Sequence, residues 1–325
     1  MKRFVKYISI LLLIAIISGG VIYNKRISLC YGIFQKYLSI KDDMSNNTVT
    51  NSNDIVYSMD YQDIVYKNTG GVPLTLDIYG PSKVIYKYSP VILYVHGGSW
   101  VYGDKTIPQS LTPILDTFRD QGYTIISTSY ELMKNKEGFY KQVCDVKDTI
   151  RWIYENKETY NLNTDEIGLI GMSSGAHLSL MAAYSDNDKF QDDKALAEYP
   201  SKVKYIIDCF GPTDLSILNT NNLNFDLNNV FTSIKDKDAL VNEFNPINYV
   251  DSNIPPTLII HSQSDTVVPY QSAEMLYDKC VEVNADAKLI SLSLSSHDLS
   301  EVSPADVTAV SKGLLEFIIL NSPLK

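Results

Sequence analysis

Residues 167–184, IGLIGMSSGAHLSLMAAY, constrain the fold more than any other stretch of the chain. A short apolar run that reads as a strand passes through Gly171-x-Ser173-x-Gly175 into a run that reads as a helix. Such a pattern makes a sharp strand-to-helix turn and projects the serine oxygen above the sheet. A side chain at either glycine would clash in so tight a turn. The serine then sits at a helix N-terminus, where the backbone dipole favours developing negative charge. G-x-S-x-G alone is a weak signal; the strand before it and the helix after it give it meaning.

The rest of the chain alternates in the same way. Residues 62–66 and 74–79 read as antiparallel strands at the start of a sheet. Residues 91–95, VILYV, form a continuous apolar run suited to a strand buried on both faces. A helix over 108–121 and a strand over 123–127 follow. Residues 140–156 place Val143, Val146, Ile150 and Ile153 at helical spacing. Strands over 203–208, 257–260 and 288–292 and a final helix over 304–320 complete the pattern. Strand–helix alternation of this kind predicts the α/β class: a mostly parallel central sheet with helices on both faces. Residues 212–250 break the rhythm with a long Asn-rich connection, which predicts a small cap insertion over the site.

A serine nucleophile needs a base, and the base needs an orienting acid. Only four histidines are present. In this kind of fold the chain order is serine, acid, histidine. His96 precedes Ser173, His177 lies one helical turn after it, and His261 ends a strand directly before the best-placed acid. His297, in the loop after the last strand, is therefore the predicted general base. Asp265, in HSQSDTVVP after the apolar strand TLII, is the best-placed acid, because loops at strand C-terminal ends hold catalytic groups in open α/β sheets. Asp208 and Asp214 remain alternatives, and Asp298 is next to the base in sequence. His96-Gly97-Gly98-Ser99-Trp100 follows the strand VILYV directly. Glycines there let backbone N–H groups approach a substrate oxygen, so one oxyanion donor is expected in this loop and the other on Ser174.

HGGSW, GMSSGAH, HSQSD and His297, in this order, resemble the α/β-hydrolase families of hormone-sensitive-lipase-like esterases, acetyl esterases and kynurenine formamidases. LTLDIYGP and VCDVKDTIRWIYEN strengthen the resemblance, which covers roughly residues 60–320. It implies an α/β-hydrolase fold and a serine hydrolase acting on small-molecule esters or amides; a complete triad on an exported domain makes short-acyl carboxylic esters, acetylated glycans among them, the expected substrates. It also implies Ser173, Asp265 and His297 as the triad, Gly97, Gly98, Ser99 and Ser174 around the oxyanion, and Trp100 as an aromatic lining the site. No metal or organic cofactor is implied. The alternatives are an amide or formamide hydrolase or peptidase of the same fold, or a ligand-binding protein on this scaffold. The chain departs from the pattern at Ser99, where many relatives have a third glycine. It departs again at Ser262 and Asp298, where relatives often have glycine.

Composition fits a folded globular protein: 45% of the 325 residues are hydrophobic and 20% charged. The net charge of -10 argues against nucleic acid as a partner, because phosphate contacts need clustered Lys and Arg. None of the four cysteines shows metal-ligand spacing. Residues 7–23 are uncharged and lie between Lys2, Arg3 and Lys6 on one side and Lys25 and Arg26 on the other. Seventeen residues of helix span about 25 Å, which suits a short signal anchor or the core of a signal peptide. The expected organisation is therefore an anchor or signal over 1–26, a polar linker over 27–59 and a catalytic domain over 60–325. The positive-inside rule puts that domain outside the cell membrane, tethered or, after cleavage, secreted.

Overall fold

A computed structural model describes residues 59–68, 73–109, 111–133, 138–218, 237–297 and 303–321, together with Tyr31. The expected signal or anchor over 1–26 and nearly all of the linker lie outside the described residues. Among the described residues, no helix is long and apolar enough to cross a membrane.

Eight strands form one sheet: β1 (Tyr61–Lys67), β2 (Leu74–Tyr79), β3 (Ser89–Val95), β4 (Thr124–Thr128), β5 (Leu162–Met172), β6 (Tyr205–Cys209), β7 (Thr257–Ser262) and β8 (Ala287–Leu292). Their spatial order is β1-β2-β4-β3-β5-β6-β7-β8. β1 pairs antiparallel with β2, and β2 with β4; every other pairing is parallel. From residue 59 on, the helices of the described residues are α1 (Thr112–Asp120), α2 (Gly138–Glu155), α3 (Ser174–Tyr184), α4 (Lys237–Phe244), α5 (Gln271–Glu282) and α6 (Pro304–Asn321).

The two-residue period of the strands divides the core between the faces of the sheet. On β3, Val91, Leu93 and Val95 pack on one face with side chains of α2, α3 and α5. Ile92 and Tyr94 point to the other face, toward Leu115 and Phe118 of α1 and Leu314 and Phe317 of α6. Helices therefore cover both faces, and the central strands have no polar side to offer water. That is why VILYV reads as an unbroken apolar run.

Two elements differ from the sequence reading. β5 begins at Leu162 rather than Ile167, because Ser89 and Pro90 of β3 continue the ladder down to Leu162 and Asn163, across an irregularity before Val91. Helix α5 was not anticipated. Its buried residues are Ser272, Ala273, Leu276 and Cys280, a narrow and partly polar stripe that gives a faint helical signal. The long connection over 212–250 is described at its ends. These form a 3-10 turn (Leu215–Ile217), α4 and a second 3-10 turn (Pro246–Tyr249). Phe244 packs against Phe139 and Phe190 of the core. The middle of the expected cap, residues 219–236, lies outside the described residues.

Candidate active site

The parallel strands point their C-terminal ends toward one rim of the sheet, and the predicted residues gather there. β5 ends at Met172, and Ser173 is the N-cap of α3 with φ 51° and ψ −119°. This backbone conformation costs a non-glycine residue about 1–3 kcal/mol and persists only where its surroundings fix it. Here they do. The Ser173 N–H donates to the Cys209 carbonyl at 2.8 Å, continuing the β5–β6 ladder into the turn. The Ser173 carbonyl accepts from Ala176 and His177 at 3.0 and 3.1 Å, starting the helix. Gly175 lies so close to β3 that a Cβ on it would come within 2.2 Å of the Val95 carbonyl oxygen and 2.3 Å of that of His96.

His297 Nε2 is 2.8 Å from Ser173 Oγ, and His297 Nδ1 is 2.7 Å from Asp265 Oδ2. Asp265 is thus the acid brought to the histidine. Asp208 instead accepts from the Gly211 N–H at 2.9 Å. Asp214 caps the first 3-10 turn, accepting from the Ser216 N–H at 2.8 Å. The Asp265 side chain is fully buried. Burial alone pushes its carboxyl pKa up. Hydrogen bonds from His261 and His297, the charge of His297 and the Val267 amide outweigh burial and hold it well below the usual carboxylate range. Oδ1 accepts from Val267 and Val268 N–H at 2.8 and 3.0 Å, an Asx turn that fixes the carboxylate plane.

His261 is a partner of Asp265 that the sequence did not disclose. Its Nε2 lies 3.3 Å from Asp265 Oδ2 and donates to the Val268 carbonyl at 3.0 Å. The spacing His261-x-x-x-Asp265 at the end of a buried strand is the trace it leaves in the sequence.

The loop after β3 wraps over the serine. A Cβ on Gly97 would come within 3.4 Å of Ser173 Cβ, so the backbone here is in contact range of the turn that carries Ser173. Gly98 has φ 122°, and a Cβ on it would meet the Tyr102 carbonyl at 2.2 Å. Ser99 continues the left-handed run with φ 51°. His96 steadies the loop: its Nδ1 is 2.7 Å from the Gly97 carbonyl, and its ring stacks on Tyr130 with centroids 4.2 Å apart. Ser174, the first residue of α3, has an N–H with no acceptor within the helix. A cleft of about 420 Å³ opens between these parts, with Gly97, Gly98, Ser99, Ser173 and His297 in its wall. Tyr94, Asp104 and Pro108 line it as well, and the sequence had not singled them out.

Trp100 requires a correction. It does not line this cleft. With φ 66° the chain turns its indole down into the core, where it is 2% exposed. There it packs edge-on against Phe139 and His177 and donates from Nε1 to His177 Nδ1 at 3.2 Å.

A protein-family model described as BD-FAE matches residues 76–280. The chain belongs to the BD-FAE family. In this BD-FAE chain, Ser173 and Asp265 fall inside the matched region and His297 follows it by 17 residues. Among curated proteins it is similar to the esterase LipQ of Mycobacterium tuberculosis, 30% identical over 220 residues, which are 66% of this chain and 51% of the relative. It is also similar to the esterase LipC of the same organism, 26% identical over 63% of this chain and 51% of the relative. The chain spans about half the length of these curated relatives. Among solved structures it resembles a truncated carbohydrate esterase from gut microbiota, with a TM-score of 0.66 at 24% identity, covering 82% of this chain and 98% of that one. It also resembles esterase 2 of Thermogutta terrifontis with butyrate bound, with a TM-score of 0.65 at 19% identity, covering 83% and 96%. The fold of the BD-FAE chain is that of an α/β-hydrolase.

Proposed function

We propose that this chain is a carboxylic ester hydrolase that works through an acyl-enzyme on Ser173. The observation that carries the reading is the continuous path Ser173 Oγ–His297 Nε2 at 2.8 Å and His297 Nδ1–Asp265 Oδ2 at 2.7 Å, opening on a cleft at a helix N-terminus. Ser173 Oγ attacks the ester carbonyl carbon while its proton passes to His297 Nε2. Asp265, held anionic, fixes the tautomer of His297 and stabilises the imidazolium. The carbonyl oxygen becomes an oxyanion facing backbone N–H groups of the Gly97–Gly98–Ser99 loop and of Ser174. Collapse of this intermediate breaks the bond to the alkoxide, which takes the proton from His297 and leaves as the alcohol. Water then repeats the sequence on the acyl-enzyme and returns free Ser173 and a carboxylic acid.

The substrates of this reading are small esters with short acyl groups, acetylated glycans among them. The modest cleft supports it, as do relatives that carry the names of esterases and a carbohydrate esterase. Butyrate and propionate bound to the Thermogutta terrifontis esterase support short acyl groups. The charge pattern of residues 1–26 supports a catalytic domain on the outer side of the cell membrane, tethered or released by cleavage. Fractionation of cells expressing the full chain tests this, and activity confined to the cytosol overturns it. The chemistry is tested with p-nitrophenyl esters of increasing acyl length and with acetylated oligosaccharides, comparing wild type with Ser173→Ala. The expected result is hydrolysis fastest for acetate to butyrate and abolished in the variant. Full activity in Ser173→Ala overturns the assignment.

A further inference from the structure

His177 is the buried histidine that the proposed reaction leaves without a task. It lies one turn into α3, and its N–H donates to the carbonyl of Ser173 at 3.1 Å. Its imidazole is fully buried. Trp100 Nε1 can only donate, so His177 Nδ1, 3.2 Å away, must be its unprotonated acceptor. Nε2 then carries the proton and donates to the Phe244 carbonyl at 2.7 Å. Both ring nitrogens are used in one tautomer, and the ring is neutral: burial lowers its pKa to about 4, against the opposing pull of the Phe244 carbonyl.

Three separate parts of the chain meet on this ring. Trp100 follows Ser99 in the loop over the nucleophile, Phe244 ends α4 in the 212–250 insertion, and the ring belongs to the helix that Ser173 caps. The loop is not in a conformation it would hold unaided. Gly98, Ser99 and Trp100 all have positive φ, and the last two carry side chains that disfavour it. What holds Trp100 is a set of contacts from the core. Its carbonyl accepts from the Met133 N–H at 2.8 Å and Gln142 Nε2 at 2.7 Å. Its indole packs edge-on against Phe139 and His177, each with ring centroids 5.3 Å apart. The Trp100–His177 bond is the member of this set that ties the loop directly to the helix of the nucleophile.

We propose that His177 is a positioning residue that fixes the distance between Ser173 and the loop amides expected to receive the oxyanion. This rests on the ester-hydrolase reading above. Its physical basis is that donors aimed at developing charge act through their fixed position, and a displacement of about 1 Å can cost on the order of a hundredfold in rate. A histidine that merely filled the core would lower stability when replaced and leave the rate per folded molecule alone.

The test uses the full chain with p-nitrophenyl acetate, with active sites counted by fluorophosphonate titration so that unfolded protein drops out. His177→Phe keeps the ring and removes the acceptor. His177→Asn returns an acceptor close to Nδ1. Trp100→Phe removes the donor from the loop side. The expected result is kcat per titrated site about 10- to 100-fold lower in His177→Phe and in Trp100→Phe, with KM changed less than about threefold. His177→Asn should recover most of the loss, and the double variant Trp100→Phe/His177→Phe should lose no more than either single one. An unchanged kcat per site in both single variants overturns the positioning role, as does a loss equal in kcat and 1/KM. Wild type that hydrolyses no ester and takes up no fluorophosphonate overturns the ester-hydrolase reading and this proposal with it. An active wild type with both single variants at the wild-type kcat per site overturns this proposal alone.

Discussion

At the scale of the residue, two buried carboxylates near the same rim are driven apart by their surroundings. Asp265 is surrounded by donors, from the imidazoles of His261 and His297 and the amides of Val267 and Val268, and stays ionised. Removing its charge while keeping its shape withdraws the anion that His261 and His297 share. Asp265→Asn is expected to lower kcat on the order of a thousandfold or more and to lower stability at neutral pH, because the anion its donors favour is lost, as read by ester hydrolysis per titrated site and by thermal denaturation. Asp208 has one such donor, the Gly211 N–H, and its Oδ2 has no hydrogen-bond partner among the described residues. Burial raises its pKa to about 7, although the charge of His261 and the Gly211 N–H pull the other way. A carboxyl whose folded value is raised contributes stability that is complete below its unfolded value, near 4, and lost as pH rises through 7. Asp208→Asn keeps the acceptor for Gly211 and cannot ionise. Its stability relative to wild type should grow between about pH 4 and 7, by up to about 1.4 kcal/mol per pH unit, as measured by denaturant melts across that range.

At the scale of the element, the site depends on how closely α3 can approach β3. The helix is buried along nearly its whole length, with Gly175, Ala176 and Ser179 among its small residues. It can therefore start directly behind the strand ends and hold Ser173 in its unfavourable backbone conformation. Gly175→Ala places a methyl carbon 2.2 Å from the Val95 carbonyl oxygen, and the obstacle is backbone on both sides. The expected effect is a loss of about 3 kcal/mol or more, and a shift of the nucleophile turn that lowers kcat in whatever protein still folds. Denaturant melts and titrated kcat values check the two parts separately.

At the scale of the whole molecule, a buried charge network fastens the first strand to the main sheet assembly. The Lys67 ammonium on β1 meets Asp145, Asp148 and Asp192 at 2.7, 2.8 and 2.6 Å, and Arg151 adds a 2.8 Å bond to Asp148. Asp145, Asp148 and Arg151 belong to α2, so the network joins an edge strand to a central helix and to the segment that follows α3. The attraction of Asp145 and Asp148 outweighs burial and holds the lysine pKa far above its ordinary value. Lys67→Met leaves buried carboxylates without their cation. The expected cost is about 3–5 kcal/mol of unfolding free energy at neutral pH. No member of the network lines the cleft, so kcat per folded molecule should stay unchanged.

Ser173, His297 and Asp265 were legible in the sequence because their chemistry leaves few choices. A strand–turn–helix pattern marks one serine, and the chain order left one histidine of four. The fold class was legible for a related reason: strands buried on both faces must be apolar throughout, and helices between them show a 3.6-residue period. What the sequence by itself determined is thus the alternation of elements, the α/β class and the three side chains that the structure brings within hydrogen-bond distance of one another. The tertiary structure alone decided which way side chains face. Trp100 points into the core because Met133, Phe139, Gln142 and His177 hold it there against an unfavourable positive φ, and local sequence does not encode that meeting. His261 meets Asp265, and His177 joins Trp100 to Phe244, because strands, helices and loops far apart in the chain close onto the same few ångströms. Short-range patterns are set by neighbours along the chain, whereas these contacts exist only once the sheet has brought its strand ends together.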